Sequence, residues 1–236
     1  MITEKKKYVT LSFDDGTVQD VRFIGLLNKY GVKSTFNLNS GLFGTKHRII
    51  HDGINCDHTE ITADMVRELY AGHEVAVHTV SHPNLAKLDS DGVFREVEGD
   101  RLALEALCGY PIIGMAYPGG PFYTEETIST ILTRTPIRYA RNVRSSYTFA
   151  PSARYMEWSP TCKLEDEALF DLCKRFKAAE ADEAVLLFYV WGHSFELDKY
   201  KSWDRFERFL DTIAGLEDTA YVTNGEFYAS HPLPAV

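Results

Sequence analysis

Two aspartates stand side by side in "YVTLSFDDGTV", at Asp14 and Asp15, directly after an apolar run and before Gly16. Like charges at adjacent positions repel, and neither carboxylate can be buried without a partner. Further along, "HTVSHPN" sets His78 and His82 four residues apart. Two histidines and one carboxylate form a common catalytic zinc set that leaves a position for water. Asp14 or Asp15 supplies the carboxylate in that reading. One of the two would ligate the metal and the other would stay free as a base, with the cation offsetting their repulsion. Plainer chemistry competes, since a DDG surface turn and ordinary loop histidines would account for each motif taken alone.

The elements that must position these residues alternate in type. Strands are expected at "KYVTLSF", "KSTFNLN", "EVAVHT", "IIGMAYP", "IRYARNV", "EAVLLFYVWG" and, last, "AYVTNGEF". Between them, "TVQDVRFIGLLNKYG", "TADMVRELYAGH", "DSDGVFREVEGDRLALEALCG", "TEETISTILTRT", "EDEALFDLCKRFKAAE" and "SWDRFERFLDTIAGLED" carry helical periodicity. Gly31 and Gly72 are the expected stops of the first two, and Thr62 an expected N-cap of the second. Strand followed by helix, about seven times over, points to a parallel sheet covered by helices. Seven or eight such units in 236 residues fit a (β/α) barrel, one α/β domain over residues 1–236. Asp14, Asp15, His78, Pro118, Gly119, Arg141 and His193 then fall at the carboxyl ends of different strands. That is the face on which such barrels build active sites.

Composition excludes several function classes. The net charge is −9, and no basic run extends beyond Lys5–Lys7, so neither nucleic acid nor an anionic membrane surface is an expected partner. No segment approaches the roughly 20 apolar residues of a membrane span, and the start has no apolar stretch of signal-peptide length. The expectation is a soluble, cytoplasmic protein. Cys56, Cys108, Cys162 and Cys173 show no CxxC spacing and read as free thiols.

Five local motifs between Ser12 and His193 resemble, in order, those of the polysaccharide deacetylases of carbohydrate esterase family four, the NodB-homology domain. "SFDDG" resembles the first motif and "HTVSH" the second, H-[ST]-x-x-H. The resemblance implies a distorted (β/α)7 barrel that hydrolyses acetyl groups from an amino sugar or acetylated sugar. It implies Asp14 as general base, with Asp15, His78 and His82 as ligands of a divalent metal, most often Zn2+ but also Co2+, Ni2+ or Mn2+. The third motif departs from the usual R-P-P-Y-G, for here "AYPGG" puts Ala116 in the place of the arginine. Members reading A-Y-P-x-G exist. The motif's amide, here of Gly119, would help hold the oxyanion. Arg141, ending the next strand, could supply the missing guanidinium to Asp14; otherwise it is a surface arginine. In the fourth motif Trp158 is present, but Thr161 stands where an acid is expected, so either another carboxylate, Asp166 or Glu196, supports the catalytic histidine or the histidine lacks that support. The fifth motif, "LLFYVWGH", ends in His193, which would protonate the leaving group.

Tyr117, Phe122, Tyr123, Trp158, Trp191 and Trp203 gather near the same strand ends. Tyr117, Pro118, Gly119, Trp158 and Trp191 are the expected substrate contacts, since sugar C–H faces stack on such rings. The long polar segment "GLFGTKHRIIHDGINCDH" should shape a pocket; its histidines His47, His51 and His58 read as loop residues in preference to a second metal site. Two rival functions remain: the same barrel acting on a small non-sugar amide, and a glycan-binding barrel that has lost catalysis. The oligomeric state is left open.

Overall fold

The structure is a computed structural model that describes residues 6–51, 53–181 and 184–232; the side chain of His51 lies outside that description. Ten strands alternate with eight helices among the described residues. The strands are β1 (Lys7–Asp15), β2 (Thr35–Leu38), β3 (Arg48–His51), β4 (Ile54–Asp57), β5 (Glu74–Val77), β6 (Gly114–Ala116), β7 (Tyr139–Arg141), β8 (Cys162–Lys163), β9 (Leu186–His193) and β10 (Thr219–Tyr221). The helices are α1 (Asp20–Tyr30), α2 (Val66–Leu69), α3 (Ser90–Cys108), α4 (Glu125–Arg134), α5 (Leu169–Ala178), α6 (Phe195–Lys199), α7 (Trp203–Ile213) and α8 (Asn224–Ser230).

The main sheet is parallel, in the order β7-β6-β5-β2-β1-β9-β8, with β10 beside β1. It curls into a distorted barrel, the fold expected from the alternation of elements. β9 pairs with β1 along Lys7 to Asp14. The other edge of β1 is divided: β10 takes Lys7 to Val9 and β2 takes Ser12 to Asp15. The rim between β7 and β9 is carried by one irregular segment. Its Trp158 bridges Arg141 of β7, and its Cys162 and Lys163 pair with β9.

Strand periodicity sorts the two cores. Val9, Leu11 and Phe13 of β1 point outward and pack with Phe23, Leu27, Phe206 and Phe209 of the covering helices. Tyr8, Tyr139, Trp158, Leu187 and Tyr189 point inward and fill the barrel, where α8 adds Phe227. Trp158 is therefore an interior residue.

Three expectations about elements need correction. "TADMVRELYAGH" gives only a 3-10 turn and the four-residue α2, because the Thr62 side chain caps nothing and only Val66 and Tyr70 bury fully in this stretch. The last expected strand stops at Tyr221, and α8 follows, opened by a capping box between Thr223 and Glu226. The long polar segment is not structureless, since β3 and β4 form an antiparallel hairpin within it.

Candidate active site

Asp14 closes β1, and sheet register sets its neighbours. Asn37 of β2 and His193 of β9 are its direct partners on either side. Asn37 Nδ2 donates to Asp14 Oδ1 at 2.8 Å. Arg141 reaches across the barrel interior from β7. Its Nη2 donates to Asp14 Oδ1 at 2.5 Å and also to Oδ2. Arg141 is 0% exposed, so it is no surface arginine. Its Nε donates to Ser12 Oγ at 3.2 Å, its Nη1 to the Asn142 carbonyl at 3.2 Å, and its guanidinium lies 4.7 Å from the centre of the Trp191 ring. The carboxylate and the guanidinium thus enter the interior as a pair.

Asp15, His78 and His82 come together beside Asp14. The His78 and His82 Nε2 atoms lie 3.6 and 3.8 Å from Asp15 Oδ1. One ligand atom from each of the three lies within 4.8 Å of the other two. His78 Nδ1 is 2.9 Å from the Ala116 carbonyl and donates to it, which turns Nε2 as an acceptor toward Asp15. The set fits a divalent metal: two imidazoles and a carboxylate converge, and the backbone fixes one tautomer. Burial lowers the pKa of His78 and favours the neutral ligand form. Burial opposes ionisation of Asp15, but a hydrogen bond from His58 and the charges of His193, His78 and His82 outweigh it and hold that carboxyl well below its usual range.

The backbone is bent to achieve this convergence. Asp15, Thr79 and His82 have φ of 76°, 73° and 58°, unusual for residues with side chains. Each such conformation costs about 1–3 kcal/mol and collects at functional sites. Asn39 Nδ2 donates to the carbonyls of His78, at 2.5 Å, and Thr79, at 2.9 Å, holding the bend. Asp100, buried on α3, accepts from the His78 amide at 3.0 Å and from the Ser40 amide at 2.7 Å. Burial pushes the Asp100 carboxyl up to about 7.

His193 ends β9 with Nε2 at 3.9 Å from Asp14 Oδ2 and 4.0 Å from Asp15 Oδ2. Its Nδ1 lies 3.2 Å from Glu196 Oε2, and Lys163 Nζ holds the other Glu196 oxygen at 2.6 Å. Burial works against the charged imidazole, yet Glu196 and the two aspartates outweigh it and raise the His193 pKa. Glu196 itself falls to about 2, since His193 and Lys163 override the effect of its burial. Of the two acids considered from sequence, Glu196 is the one at the histidine. Asp166 instead accepts from the Tyr147 hydroxyl at 2.8 Å. Thr161 is a buried structural residue whose Oγ1 donates to the Thr148 carbonyl at 3.1 Å.

The expected substrate contacts separate. Gly119 is exposed, with φ of 70°, and a Cβ there would sit 3.3 Å from Phe122 and 3.9 Å from His82 Cε1, so its backbone borders the metal set. Trp191 is 8% exposed and lies beside His193, with ring centres 5.6 Å apart. Tyr117 is fully buried; it stacks on Tyr123 and donates to the Met156 carbonyl at 3.0 Å. Trp158 is 1% exposed within the barrel core. Neither Tyr117 nor Trp158 offers a ring face to a sugar, and Pro118 is buried as well. Sequence reasoning missed Asn37, Asp100 and the pairing of His58 with Asp15. Asn37 carried a usable signal, because it sits on an apolar strand whose end lies level with Asp14.

Residues 2–140 match the model of the polysaccharide deacetylase family. A chitin deacetylase of Pestalotiopsis sp is 33% identical over 100 residues, which is 42% of this chain and 30% of that protein. The match therefore spans under a third of that relative. Among solved structures, the chain is similar to the Xyl-CE4 domain of a multidomain xylanase from the hindgut metagenome of Trinervitermes trinervoides. The TM-score is 0.61 at 14% identity, covering 95% of this chain and 91% of that one. A family 4 acetyl xylan esterase from Clostridium thermocellum, in complex with a cobalt ion, aligns with a TM-score of 0.57 at 17% identity, covering 97% and 93%. At such identities the structures speak for the fold.

Proposed function

The chain belongs to the polysaccharide deacetylase family, and we propose on that premise that it is a metal-dependent hydrolase removing acetyl groups, N-acetyl in preference to O-acetyl, from an amino sugar, oligosaccharide or polysaccharide. The observation that carries the reading is the convergence on Asp14 Oδ2 of His78 Nε2 and His193 Nε2, each at 3.9 Å, beside the Asp15 carboxylate.

Asp15, His78 and His82 would hold the cation, which when bound supplies Lewis-acid polarisation of the acetyl carbonyl. Asp14 acts as the general base. Arg141 and Asn37 hold its carboxylate in place, so that it takes a proton from the attacking water. His193, protonated and steadied by Glu196, gives a proton to the departing amine or alkoxide through Nε2. The Gly119 amide donates toward the developing oxyanion and needs no side chain to do so. In this reading "AYPGG" is the A-Y-P-x-G form of the third motif, and Arg141 stands in for its missing arginine.

The burial of Tyr117 and Trp158 favours a second reading, the same chemistry on a small non-sugar amide. One panel separates the two. Acetate release is measured from N-acetylglucosamine, chito-oligosaccharides, acetylated xylan and small N-acetyl amides, with Zn2+ or Co2+ supplied. Release from the amino sugars supports the first reading, and release from the simple amides alone supports the second. Release from none of them would contradict both.

A further inference from the structure

The hairpin stem carries a second set of donors, apart from Asp15, His78 and His82. The His58 amide donates to the His47 carbonyl and the Glu60 amide to the Thr45 carbonyl, each at 3.0 Å. The antiparallel ladder of β3 and β4 therefore continues past its named ends. His47 and His58 face each other across it. Glu60, two residues beyond His58, shares that face by strand periodicity. The His47 and His58 ring centres are 4.5 Å apart. Ligand atoms of His47, His58 and Glu60 all lie within 4.8 Å of one another. His58 Nδ1 and Glu60 Oε1 are 3.2 Å apart, about the spacing of two ligands on a tetrahedral ion with bonds of ~2.0–2.1 Å.

Burial leaves the set short of compensating partners. Glu60 is 2% exposed, yet neither of its carboxylate oxygens has a hydrogen-bond partner among the described residues. Nδ1 of His58 has none either. A buried carboxylate is costly unless a charge or donors compensate it, and Glu60 has the His58 imidazole as its one close charge partner.

We infer that His47, His58 and Glu60 form a second divalent-cation site of zinc type, coupled to the Asp15–His78–His82 set through the His58 imidazole. His58 Nε2 lies 3.3 Å from Asp15 Oδ2. A cation on Nδ1 leaves the ring proton on Nε2, where it is donated to Asp15 and fixes that carboxylate for the first set. Two imidazoles with one carboxylate take Zn2+ or Co2+ ahead of Mg2+ or Ca2+. His47 is exposed and gives the ion an entry path. The coupling and the count of two equivalents rest on the metal set proposed above, and the second site itself does not.

The test is a metal titration of the purified full chain after chelator stripping, with Zn2+ by calorimetry and Co2+ by visible absorption. Wild type should take two equivalents. Glu60→Gln and His47→Ala should each take one, and His47 is exposed enough that its loss does not threaten folding. In both variants the remaining equivalent should bind about 10–100-fold more weakly, the usual effect of losing an outer partner of a ligand. A wild type that saturates at one equivalent, itself lost in His82→Ala, overturns the second site and leaves the first standing. That is the result expected if a doubly protonated His58 bridges Asp15 and Glu60 without an ion. Two equivalents retained in both variants overturn it as well.

Discussion

Replacing Arg141 with Ala should damage both stability and turnover while leaving the metal in place. Arg141 and Asp14 are 0% and 2% exposed. Truncating the arginine leaves the Asp14 carboxylate buried with only the Asn37 amide on its Oδ1. Breaking a buried ion pair from one side costs about 3–5 kcal/mol. For a chain of this size each kcal/mol moves Tm by about 2–4 °C, which gives a fall of roughly 6–20 °C. Turnover should drop further, because Asp14 loses the contact that aims it, and a misplacement near 1 Å costs about 10²-fold. Arg141 touches none of Asp15, His78 and His82, so metal content should match wild type. Arg141→Lys should restore part of the stability and less of the turnover, since one ammonium cannot meet Asp14 while also reaching Ser12 Oγ and the Asn142 carbonyl as the guanidinium does. Thermal unfolding by circular dichroism, metal analysis and acetate release are measured on the same preparations. An alanine variant within about 2 °C of wild type in Tm, with undiminished kcat, would refute the pairing as the support of Asp14; a variant that loses its metal would show that the pair holds the ion site instead.

His82→Ala should lose one equivalent of bound metal with little loss of stability, because the side chain is 35% exposed on a loop; unchanged metal content would remove His82 from the ligand set. Glu196→Gln should move the basic limb of the pH–rate profile to lower pH. Glu196 is the largest influence raising the His193 pKa against burial, and a proton donor is lost as pH rises through its pKa; an unmoved basic limb would mean that His193 is not the donor. Gly114→Ala should destabilise the fold by about 1–3 kcal/mol in urea unfolding, the cost of overpacking. A Cβ there would fall 2.0 Å from the Tyr139 ring, which is fully buried; wild-type stability would show that the ring yields freely.

Periodic sequence signals fixed most of the architecture in advance. β1, β9, α3 and α7 are long, patterned elements, and they lie where alternation and helical spacing put them. Short elements were harder to read. α2 has four residues, and its buried surface depends on Val66 and Tyr70 meeting neighbours from distant segments. α8 carried a legible sign, Thr223 followed three residues later by Glu226, but it lay inside a run that also reads as strand. For the site, residue type and order were informative for groups at or just beyond strand ends: Asp14, Asp15, His78, His82 and His193 do converge. Side-chain direction was not legible. Trp158 and Tyr117 are turned into the core by packing against residues from distant segments. The His58 contact with Asp15 depends on a hairpin hidden in a polar segment, and no local spacing reveals which way such a hairpin folds back.

The role proposed for Asp14 is base chemistry beside a separate metal set. It is tested most directly by steady-state acetate release from a chito-oligosaccharide by metal-loaded wild type and Asp14→Asn, with bound metal counted in both. Wild type should turn over, kcat should fall about 10²–10⁴-fold in the variant, and metal content should be equal in the two. Equal rates in the two proteins, or a metal loss in Asp14→Asn as large as that in Asp15→Asn, would contradict that role.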